Sequence, residues 1–477
     1  GPARRGITRR YASSVPDALA LIANVAGKLT REGLRATGRG ATALPGLVAL
    51  TLDPDFIGAL SAELAHGVAC VSGTNGKTTT ARMLADITRT AGWDPIHNRS
   101  GSNLDRGVAA ALLAHSSWSA EPRGNFGLFE IDEASLPSAV GRLRPRVVVI
   151  TNLFRDQMDR YFELDTLAKK IGDALAALPA ATTLVLNADD PLVANLALRR
   201  DAKTVFFGVD DLDVGGVVPQ AISDATRCPR CKSPLKYTRV VLAHVGDWSC
   251  SSCGLTRPRR DVAATKVVLS PGGSEITLAG TVGNVFEPVR VPIPGLYNAY
   301  NALAALAAAR ALDLGLAEAI GALANFRPAF GRLETIEHQG RTLRLVLVKN
   351  PAGFNAAIGA LLETGRTPRL LAALSDRDAD GRDVSWIWDA DFEALAPSVE
   401  HVVITGLRGR DLALRFKYAG LARERMEVVD EWSAAIDRAT ALAPQGGEVV
   451  VLATYTAMQA LRAVLSRAGA AVPFWED

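Results

Sequence analysis

The 477-residue sequence lacks any apolar run that approaches the roughly 18 residues of a membrane-spanning helix, so no membrane span is predicted. It also lacks a marked excess of charge of either sign. The 53 Lys and Arg residues nearly balance the 50 Asp and Glu residues, which leaves a net charge of +3. We therefore expect no nucleic acid as the main partner, because binding to a phosphate backbone requires a strongly basic surface.

The N-terminal segment is basic and precedes a short apolar stretch at 18–25. No A-x-A cleavage site follows, and Lys28 interrupts the apolar pattern, so a signal peptide is not predicted. We expect an amphipathic helix in a cytoplasmic protein. Such a helix either packs on the surface of the domain or contacts an anionic membrane.

The segment Gly73-Thr74-Asn75-Gly76-Lys77-Thr78-Thr79 follows an apolar run at 68–71. A strand, a glycine-containing turn and the start of a helix place several backbone N–H groups around one anion. The two glycines would let the backbone approach phosphate groups, while Lys77 would reach the β- and γ-phosphates and the Thr78 hydroxyl would ligate Mg²⁺. Only two residues separate the glycines. An ordinary strand–turn–helix is the alternative.

Strands and helices alternate along most of the chain, which predicts an α/β fold with a doubly wound, mostly parallel sheet. The predicted strands are 68–71, 126–131, 147–151, 184–187 and 205–209, and the predicted helices are 78–91, 164–178 and 191–199. The phosphate-binding segment, Glu130 and Asn152 all fall at carboxyl ends of these strands, where parallel sheets bind ligands. The alternation stops at about 210–290 and resumes with a helix at 297–311. A second α/β set follows, with strands at 343–348, 370–375, 401–405 and 448–453.

Two C-x-x-C pairs interrupt the alternating pattern, formed by Cys228 with Cys231 and by Cys250 with Cys253. Four thiolates at this spacing predict a zinc ribbon whose tetrahedral Zn²⁺ has no open position and is therefore structural. Two disulfides are the main alternative, and a nucleic-acid-binding ribbon with the basic flank 257–260 is another. The fifth cysteine, Cys70, lies in an apolar strand and is interpreted as a core residue.

The phosphate-binding segment and several later motifs resemble the Mur ligases and folylpolyglutamate synthases. The matching segments are 152–159, the NADDP turn at 186–191, the G-x-[HY]-N-x-x-N pattern at 295–301 and the G-R-x-E pattern at 331–334. Ordinary Mur ligases lack the cysteine insert. A Mur ligase core with a four-cysteine ribbon is similar to the MurT family, the synthetase subunits that work with GatD in lipid II isoglutaminyl synthases. Further segments that match MurT are 152–160, 349–353, 380–386 and 454–458.

This resemblance implies a Mur-ligase-like central domain with a phosphate loop and a second C-terminal α/β domain. The implied boundaries are 1–50 for an N-terminal helical segment, 51–332 for the ATP-binding domain, 222–262 for the zinc-ribbon insert and 333–477 for a C-terminal domain that contacts the partner. The implied reaction is ATP-dependent amidation of the D-glutamate α-carboxylate of lipid II through an acyl phosphate, at the cytoplasmic face of the membrane. A stand-alone ligase that adds an amino acid is the alternative, and a nucleic-acid-dependent ATPase is a third interpretation.

The resemblance also implies roles for individual residues. Glu130 would bind Mg²⁺ together with Thr78, and one of Asp132 and Glu133 would support that site. Asn298, Asn301 and Arg332 would contact ATP, although Asn298 could instead cap a helix. Gln157 replaces a histidine that helps to bind a second Mg²⁺ in Mur ligases, so a second metal site is in doubt. Lys169 and Lys170 lie near the position of a carbamylated lysine, but two exposed helix lysines are the preferred interpretation.

Ammonia must come from elsewhere, because the sequence contains no G-x-C-x-G nucleophile motif. A GatD-type glutaminase, in a heterodimer with this chain, is the implied partner. In such pairs an aspartate of the synthetase completes the Cys-His pair of the glutaminase. Asp383 is the first candidate and Asp380 the second, since a carboxylate orients a catalytic imidazole. A solvated loop, or a cap on the following helix, is the alternative for these aspartates.

Overall fold

The computed structural model describes residues 18–36, 43–98, 103–154, 163–199, 203–216, 224–270, 272–280, 285–327, 332–362, 368–377 and 379–471. Its N-terminal helices are α1 (Ala18–Ala36), α2 (Leu44–Leu52) and α3 (Phe56–Ala62). They pack against the helix Asp105–Ala114 of the central unit. Within the described ranges, no single helix is long and apolar enough to cross a membrane, whereas the bent pair α2 and α3 together meets that test of length and composition.

A nine-stranded sheet forms the core of the central unit. The strands up to residue 291 are β1 (Val68–Ser72), β2 (Pro95–His97), β3 (Phe126–Glu130), β4 (Val147–Ile150), β5 (Thr183–Asn187), β6 (Thr204–Val209), β7 (Lys236–Leu242), β8 (Val245–Ser249), β9 (Val262–Ser270), β10 (Gly273–Gly280) and β11 (Val285–Val291). The order in the sheet is β11-β10-β9-β6-β5-β4-β1-β3-β2, with parallel pairing from β2 to β9 and antiparallel pairing among β9, β10 and β11. Strands β7 and β8 form a separate hairpin.

Helices cover both faces of this sheet. They are α4 (Lys77–Thr90), α5 (Asp105–Ala114), α6 (Leu136–Leu143), α7 (Glu163–Ala176), α8 (Pro191–Ala194), α9 (Leu296–Ala311) and α10 (Leu316–Ala324). Alternate residues of a strand enter different cores: Val68 and Cys70 face one side, and Ala69 and Val71 face the other. Since both faces are buried, β1 is apolar at every position from Val68 to Val71. Cys70 is fully buried, which confirms its interpretation as a core residue.

A second, six-stranded sheet contains the C-terminal strands. They are β12 (Arg332–His338), β13 (Arg341–Leu347), β14 (Arg369–Ala373), β15 (His401–Thr405), β16 (Met426–Val428) and β17 (Glu448–Ala453). Their order is β12-β13-β17-β14-β15-β16, and every pairing is parallel except the β12–β13 hairpin. The helices of this unit are α11 (Pro351–Leu362), α12 (Phe392–Leu395), α13 (Gly409–Tyr418), α14 (Trp432–Leu442) and α15 (Tyr455–Arg467). The predicted fold class, with two mostly parallel α/β units and a cysteine insert, is confirmed.

The strand–helix alternation stops between about 210 and 290, as the sequence predicted, but the central sheet continues there. Residues 262–291 form β9, β10 and β11, three strands that were not predicted. These strands are joined directly as antiparallel neighbours, so no helix separates them and the strand–helix alternation is absent. Gly273, with φ of +150°, begins β10 where it turns back on β9. A search for alternation therefore cannot detect them.

Candidate active site and cysteine cluster

Two glycines give the loop between β1 and α4 its shape. Gly73 has φ of +125° and Gly76 has φ of +87°, both in the left-handed region that favours glycine. A Cβ atom on Gly73 would lie 2.3 Å from the Thr151 hydroxyl oxygen, and one on Gly76 would lie 2.0 Å from the side-chain oxygen of Asn301. The backbone of this loop is therefore closely packed, with no space for a larger residue at either position.

The segment after β4 holds the loop in place. The Thr74 amide donates to the Asn152 carbonyl oxygen at 2.9 Å, and the Asn75 amide donates to the Asn152 side-chain oxygen at 2.8 Å. The Thr151 hydroxyl donates to the Asn75 carbonyl oxygen at 2.7 Å. Neighbouring parallel strands thus fix the loop at the carboxyl edge of the sheet, as expected for a ligand site.

The ammonium group of Lys77 is turned back onto its own loop. Its Nζ donates to the carbonyl oxygens of Gly73 and Thr74 and lies 2.8 Å from Glu133 Oε2. The side chains of Lys77 and Glu133 are only 6% and 8% exposed. A phosphate group that enters this loop would therefore compete with Glu133 for the Lys77 ammonium.

Thr78 and Glu130 form an oxygen-rich corner beside the loop. The Thr78 hydroxyl donates to Glu130 Oε2 at 2.8 Å, and Glu130 is buried. Asn98 braces this strand end, because its side chain accepts from the Glu130 amide and donates to the Glu130 carbonyl oxygen, both at 2.8 Å. A hydroxyl and a carboxylate are the ligands that Mg²⁺ uses when phosphates complete its shell, so the donor set fits this ion. Asn98 was not predicted, since no spacing rule connects it with Glu130.

The two asparagines of α9 lie against the loop. Asn301 Nδ2 donates to Asn298 Oδ1 at 3.1 Å, and Asn298 Nδ2 donates to the Pro294 carbonyl oxygen at 2.7 Å. The helix begins at Leu296 with Gly295 as its N-cap residue, so Asn298 lies inside the helix and is not its cap. Both asparagines line a cleft shared with the loop.

This cleft, called the nucleotide cleft below, lies between the two sheets. Its lining combines the loop, the start of α9, the hairpin β7–β8 and the C-terminal unit: Asn75, Gly76, Thr79, Asn152, Phe154, Asn187, Leu242, Val245, Ile293, Tyr297, Asn298, Tyr300, Asn301, Val346, Leu347, Ala352, Gly353, Ala356 and Ala357. The polar residues come mainly from the loop and α9, and the apolar ones from the hairpin and the C-terminal unit. A polar end and an apolar end are what a nucleotide with its phosphates and its base requires.

Charged groups of the C-terminal unit reach the oxygen-rich corner. Burial and then Glu133 raise the pKa of Asp132, whereas the charges of Lys77 and Lys349 oppose that rise. Burial, Glu130 and Asp380 raise the pKa of the Tyr455 phenol. Lys349 and Tyr455 therefore lie close enough to interact electrostatically with carboxylates of the central unit. Both residues belong to segments quoted above for their resemblance, but neither was assigned a role.

The two candidate aspartates for the partner differ in their surroundings. Asp380 is buried, and its carboxylate accepts from the Thr456 amide at 2.8 Å and from the Thr456 hydroxyl. Asp383 is half-buried, and its Oδ1 accepts from the Ser385 amide at 2.7 Å. Asp380 thus ties its loop to the start of α15, whereas Asp383 stands at the start of the short 3₁₀ helix Ser385–Trp388.

For four other predicted positions the structure shows no contact with the phosphate loop among the described residues. Arg332 begins β12, but its side chain is outside the described residues, as is all of Gln157. Lys169 and Lys170 are exposed on α7, and Lys169 pairs with Asp173 at 2.8 Å one helical turn away. The preferred interpretation of these lysines as exposed helix residues agrees with this placement.

The four cysteines of the insert come together. Their sulfur atoms all lie within 4.8 Å of one another, with 3.6 Å between Cys228 and Cys253 and 3.4 Å between Cys231 and Cys250. These distances far exceed the S–S bond length of about 2.05 Å, so the predicted alternative of two disulfides is wrong. They are close to the spacing of about 3.8 Å expected around a tetrahedral ion with Zn–S bonds near 2.3 Å. The thiols fit Zn²⁺ with every position filled.

Each cysteine pair lies on a similar knuckle turn. The Cys228 amide donates to the Ser233 carbonyl oxygen, and the Cys250 amide donates to the Leu255 carbonyl oxygen, both at 2.7 Å. The residue after the second cysteine of each pair is left-handed, with φ of +63° at Lys232 and +73° at Gly254. Hydrogen bonds from the hydroxyl and amide of Ser233 lower the pKa of Cys231 to about 6, which favours its thiolate. A hydrogen bond from the Leu255 amide would lower the pKa of Cys253, but burial and contacts with the other three thiols outweigh it and raise that pKa, so a metal ion would have to displace its proton.

Two arginines of the basic flank of the insert form ion pairs with aspartates of this chain. Arg257 pairs with Asp189 at 2.6 Å and with Asp247, and its side chain is 7% exposed. Arg260 pairs with Asp210. Two of the three arginines that suggested a nucleic-acid surface are thus neutralised by carboxylates, and Arg259 alone is exposed.

Solved structures of Mur ligases share the fold of this chain. The chain superimposes on MurF of Acinetobacter baumannii with a TM-score of 0.63 at 21% identity, covering 89% of this chain and 81% of that one. For a pseudomurein peptide ligase type C from Methanothermus fervidus the TM-score is 0.62 at 23% identity, with 85% and 79% covered. The model of the Mur ligase middle domain matches residues 71–223. Fold and phosphate loop together define an ATP-dependent ligase of the Mur class.

The particular family follows from the relatives and the C-terminal unit. The MurT ligase C-terminal model matches residues 347–458. The chain is 34% identical to the lipid II isoglutaminyl synthase (glutamine-hydrolyzing) subunit MurT of Streptococcus pneumoniae, over 93% of this chain and 96% of that protein. It is 33% identical to the MurT subunit of Staphylococcus aureus strain COL, over 82% and 86%. The chain belongs to the MurT family.

Proposed function

We propose that the chain is the synthetase subunit of a lipid II isoglutaminyl synthase. It would amidate the α-carboxylate of D-glutamate in the lipid II stem peptide to D-isoglutamine, using ammonia made by a GatD-type glutaminase in a heterodimer. The observation that carries this proposal is the match to MurT subunits along nearly the whole chain. The substrate is carried by a membrane lipid, so the proposed place of action is the cytoplasmic face of the membrane.

The phosphate loop has the parts that phosphoryl transfer requires. When bound, Mg·ATP would supply the phosphoryl group that converts the carboxylate into an acyl phosphate, from which ammonia displaces phosphate. The amides of 76–79 at the start of α4 would hold the phosphate oxygens, because those of Thr74 and Asn75 already donate to Asn152. Lys77 would exchange its contact with Glu133 for one with the transferred group. Thr78 and Glu130 would hold Mg²⁺. Asn298 and Asn301 would contact the nucleotide in the nucleotide cleft, with Arg332 on the adjoining β12.

We assign four segments to this function. We would place an N-terminal helical segment at 1–50, the ATP-binding domain at 51–332, the zinc-ribbon insert at 222–262 and a domain that contacts the partner at 333–477. The helix α2 crosses the first of these boundaries and ends at Leu52. The two sheets support a division near residue 332, where β12 begins. The four-cysteine cluster supports an insert within 222–262, although Val262 itself begins β9 of the central sheet. Its Zn²⁺ would be structural because four thiolates leave no open position.

Asp383 is our choice for the carboxylate that completes the active site of the glutaminase. Asp380 is buried and engaged by Thr456, so a partner could reach it only if the start of α15 moved. Asp383 is more exposed and lies beside a 3₁₀ helix that ends at the exposed Trp388. A carboxylate at a surface can meet a partner's imidazole without such rearrangement.

The first experiment reconstitutes the reaction with the full chain, Mg·ATP and lipid II, and reads the product by mass. We expect a gain of one amide with ammonium chloride alone, and with glutamine only when a GatD-type subunit is present. Addition of an amino acid in place of an amide would show a stand-alone ligase and would overturn the proposal. Absence of both products from an ATP-binding chain would do the same.

Matched substitutions then test the aspartate. Asp383→Asn should reduce glutamine-dependent amidation by about 100-fold or more, because a mispositioned imidazole is a poor base, while ammonium-dependent amidation stays within about twofold. Asp380→Asn should impair both reactions, since it loosens the start of α15. The exposed Asp389 provides the control Asp389→Asn, which should alter neither. Full glutamine-dependent activity in Asp383→Asn would reject the assignment.

A further inference from the structure

The hairpin of the cysteine insert reaches into the nucleotide cleft. Leu242 ends β7 and Val245 begins β8, and both side chains line the cleft together with Asn298 and Asn301. Leu242 is half-buried whereas Val245 is only 2% exposed, so Leu242 is the more accessible of these two lining residues. The insert therefore forms part of the same wall as the asparagines of α9.

Backbone contacts fix this hairpin to the carboxyl edge of the central sheet. The Gly246 amide donates to the Asp189 carbonyl oxygen at 2.9 Å, and the indole N–H of Trp248 donates to the Ala188 carbonyl oxygen at 3.2 Å. Residues 188 and 189 directly follow β5, and Trp248 is buried. The hairpin is thus held at the edge where the phosphate loop also lies, and its position is set by the sheet.

A buried carboxylate provides a second connection between the insert and α9. Asp189 is fully buried, and it accepts from Arg257 Nε at 2.8 Å and from the Tyr300 hydroxyl at 2.7 Å. Burial alone would lower the pKa of Arg257, but Asp189 and Asp247 outweigh it and raise that pKa, so the guanidinium stays charged. Tyr300 itself lines the nucleotide cleft. Arg257 of the insert and Tyr300 of the cleft therefore share one partner.

We propose that the insert supplies the wall of the nucleotide cleft against which the adenine base packs, with Leu242 as the contacting residue and the buried Val245 beside it in the same wall. The ribbon then determines affinity for ATP and acts as more than a remote structural support. Aliphatic side chains suit this role because the faces of a purine ring are apolar, and covering them removes apolar surface from water. This inference rests on the use of ATP, which is part of the proposed function.

Binding measurements on the full chain separate the base from the phosphates. Calorimetric titration with Mg·ATP and with inorganic triphosphate should show that Leu242→Ala weakens ATP binding by about five- to tenfold, the effect of losing part of one buried aliphatic contact. Triphosphate binding should not change, because the phosphate loop is untouched. Leu235→Ala is the matched control, since Leu235 belongs to the same insert but not to the cleft lining, and it should bind both ligands as the unsubstituted chain does.

A second variant checks that weaker ATP binding does not result from loss of the fold. Leu242→Trp keeps an apolar side chain but fills space in the cleft, so it should also weaken ATP binding and spare triphosphate binding. In the amidation assay both variants should raise KM for ATP with little change in kcat, because the base is not at the reacting phosphate. Equal ATP affinity in both variants and the unsubstituted chain would overturn this inference. If the unsubstituted chain does not amidate lipid II, but the substitutions at Leu242 still weaken ATP binding and spare triphosphate binding, only the proposed function is overturned.

Discussion

Lys77 and Glu133 show what the phosphate loop must do before it can bind a nucleotide. Glu133 holds the ammonium group and adds negative charge where phosphates would enter. Glu133→Gln removes that charge, and we expect it to tighten ATP binding by about three- to tenfold. Lys77→Met is the contrasting variant, which should lose most phosphate affinity. Weaker ATP binding in Glu133→Gln, measured by titration at saturating Mg²⁺, would show that Glu133 holds the metal ion instead.

The phosphate loop requires glycine at position 76 for two reasons, and a comparison with Gly92 distinguishes them. Its positive φ strains any larger residue, and a Cβ atom would collide with Asn301. Gly92 has a similar φ of +80°, but a Cβ atom there would have no heavy atom of the described residues within 4 Å. Gly76→Ala should therefore abolish measurable ATP binding, whereas Gly92→Ala should cost only backbone strain of about 1 kcal/mol in unfolding free energy. Equal ATP binding by the two variants would contradict this reading of the loop.

At the scale of secondary-structure elements, the sequence predicted what local rules control. The strands next to the phosphate loop and the paired cysteines follow from apolar runs and short spacings, which act within a few residues. Strands β9 to β11 were missed because hairpins replace the helices that mark a parallel unit. The pairs Lys77–Glu133, Glu130–Asn98 and Asp189–Tyr300 join residues 32 to 111 positions apart. Only the packed fold brings such residues together, so no local pattern could have shown them.

The cysteine cluster makes the insert dependent on a metal ion. We expect one zinc ion per chain by elemental analysis after gel filtration. Cys250→Ser should lose it and lower the thermal midpoint, because three thiolates hold the ion less tightly and the knuckle turns lose their common ligand. Cys70→Ser is the control. It should retain the metal because Cys70 is buried in the core of the central unit and is not one of the four clustered cysteines. A chain that folds without metal at the same midpoint would contradict this expectation.

Arg257 connects the insert to the central sheet more strongly than its neighbours do. Arg257→Ala would leave the buried carboxyl group of Asp189 without its cation, at a cost of about 3–5 kcal/mol in unfolding free energy. Arg259→Ala, two positions away and exposed, should cost less than about 0.5 kcal/mol. Chemical denaturation of both variants provides the comparison. Similar values for the two would mean that the Arg257–Asp189 pair contributes little to holding the insert.

At the scale of the whole molecule, the nucleotide cleft is completed by both sheets. Val346, Leu347 and Gly353 of the C-terminal unit line it opposite the phosphate loop. Mg·ATP should therefore stabilise both units, by about 2.7 kcal/mol at 100 times its Kd, and raise every transition seen in calorimetry. A shift confined to one unit with Mg·ATP would show that the C-terminal unit does not contact the nucleotide.

The way in which the insert leaves and rejoins the central sheet has a consequence for protein engineering. The chain departs at the end of β6 and returns on β9, the adjacent strand, where Phe207 lies beside Val262. The stretch between β6 and β9, which contains the insert, therefore begins and ends on neighbouring strands, a geometry that tolerates exchange of whole segments. The insert could therefore be transplanted as one segment. A graft into another ligase of the same class would have to include Asp189 and Tyr300, because Asp189 pairs with Arg257 and accepts a hydrogen bond from Tyr300.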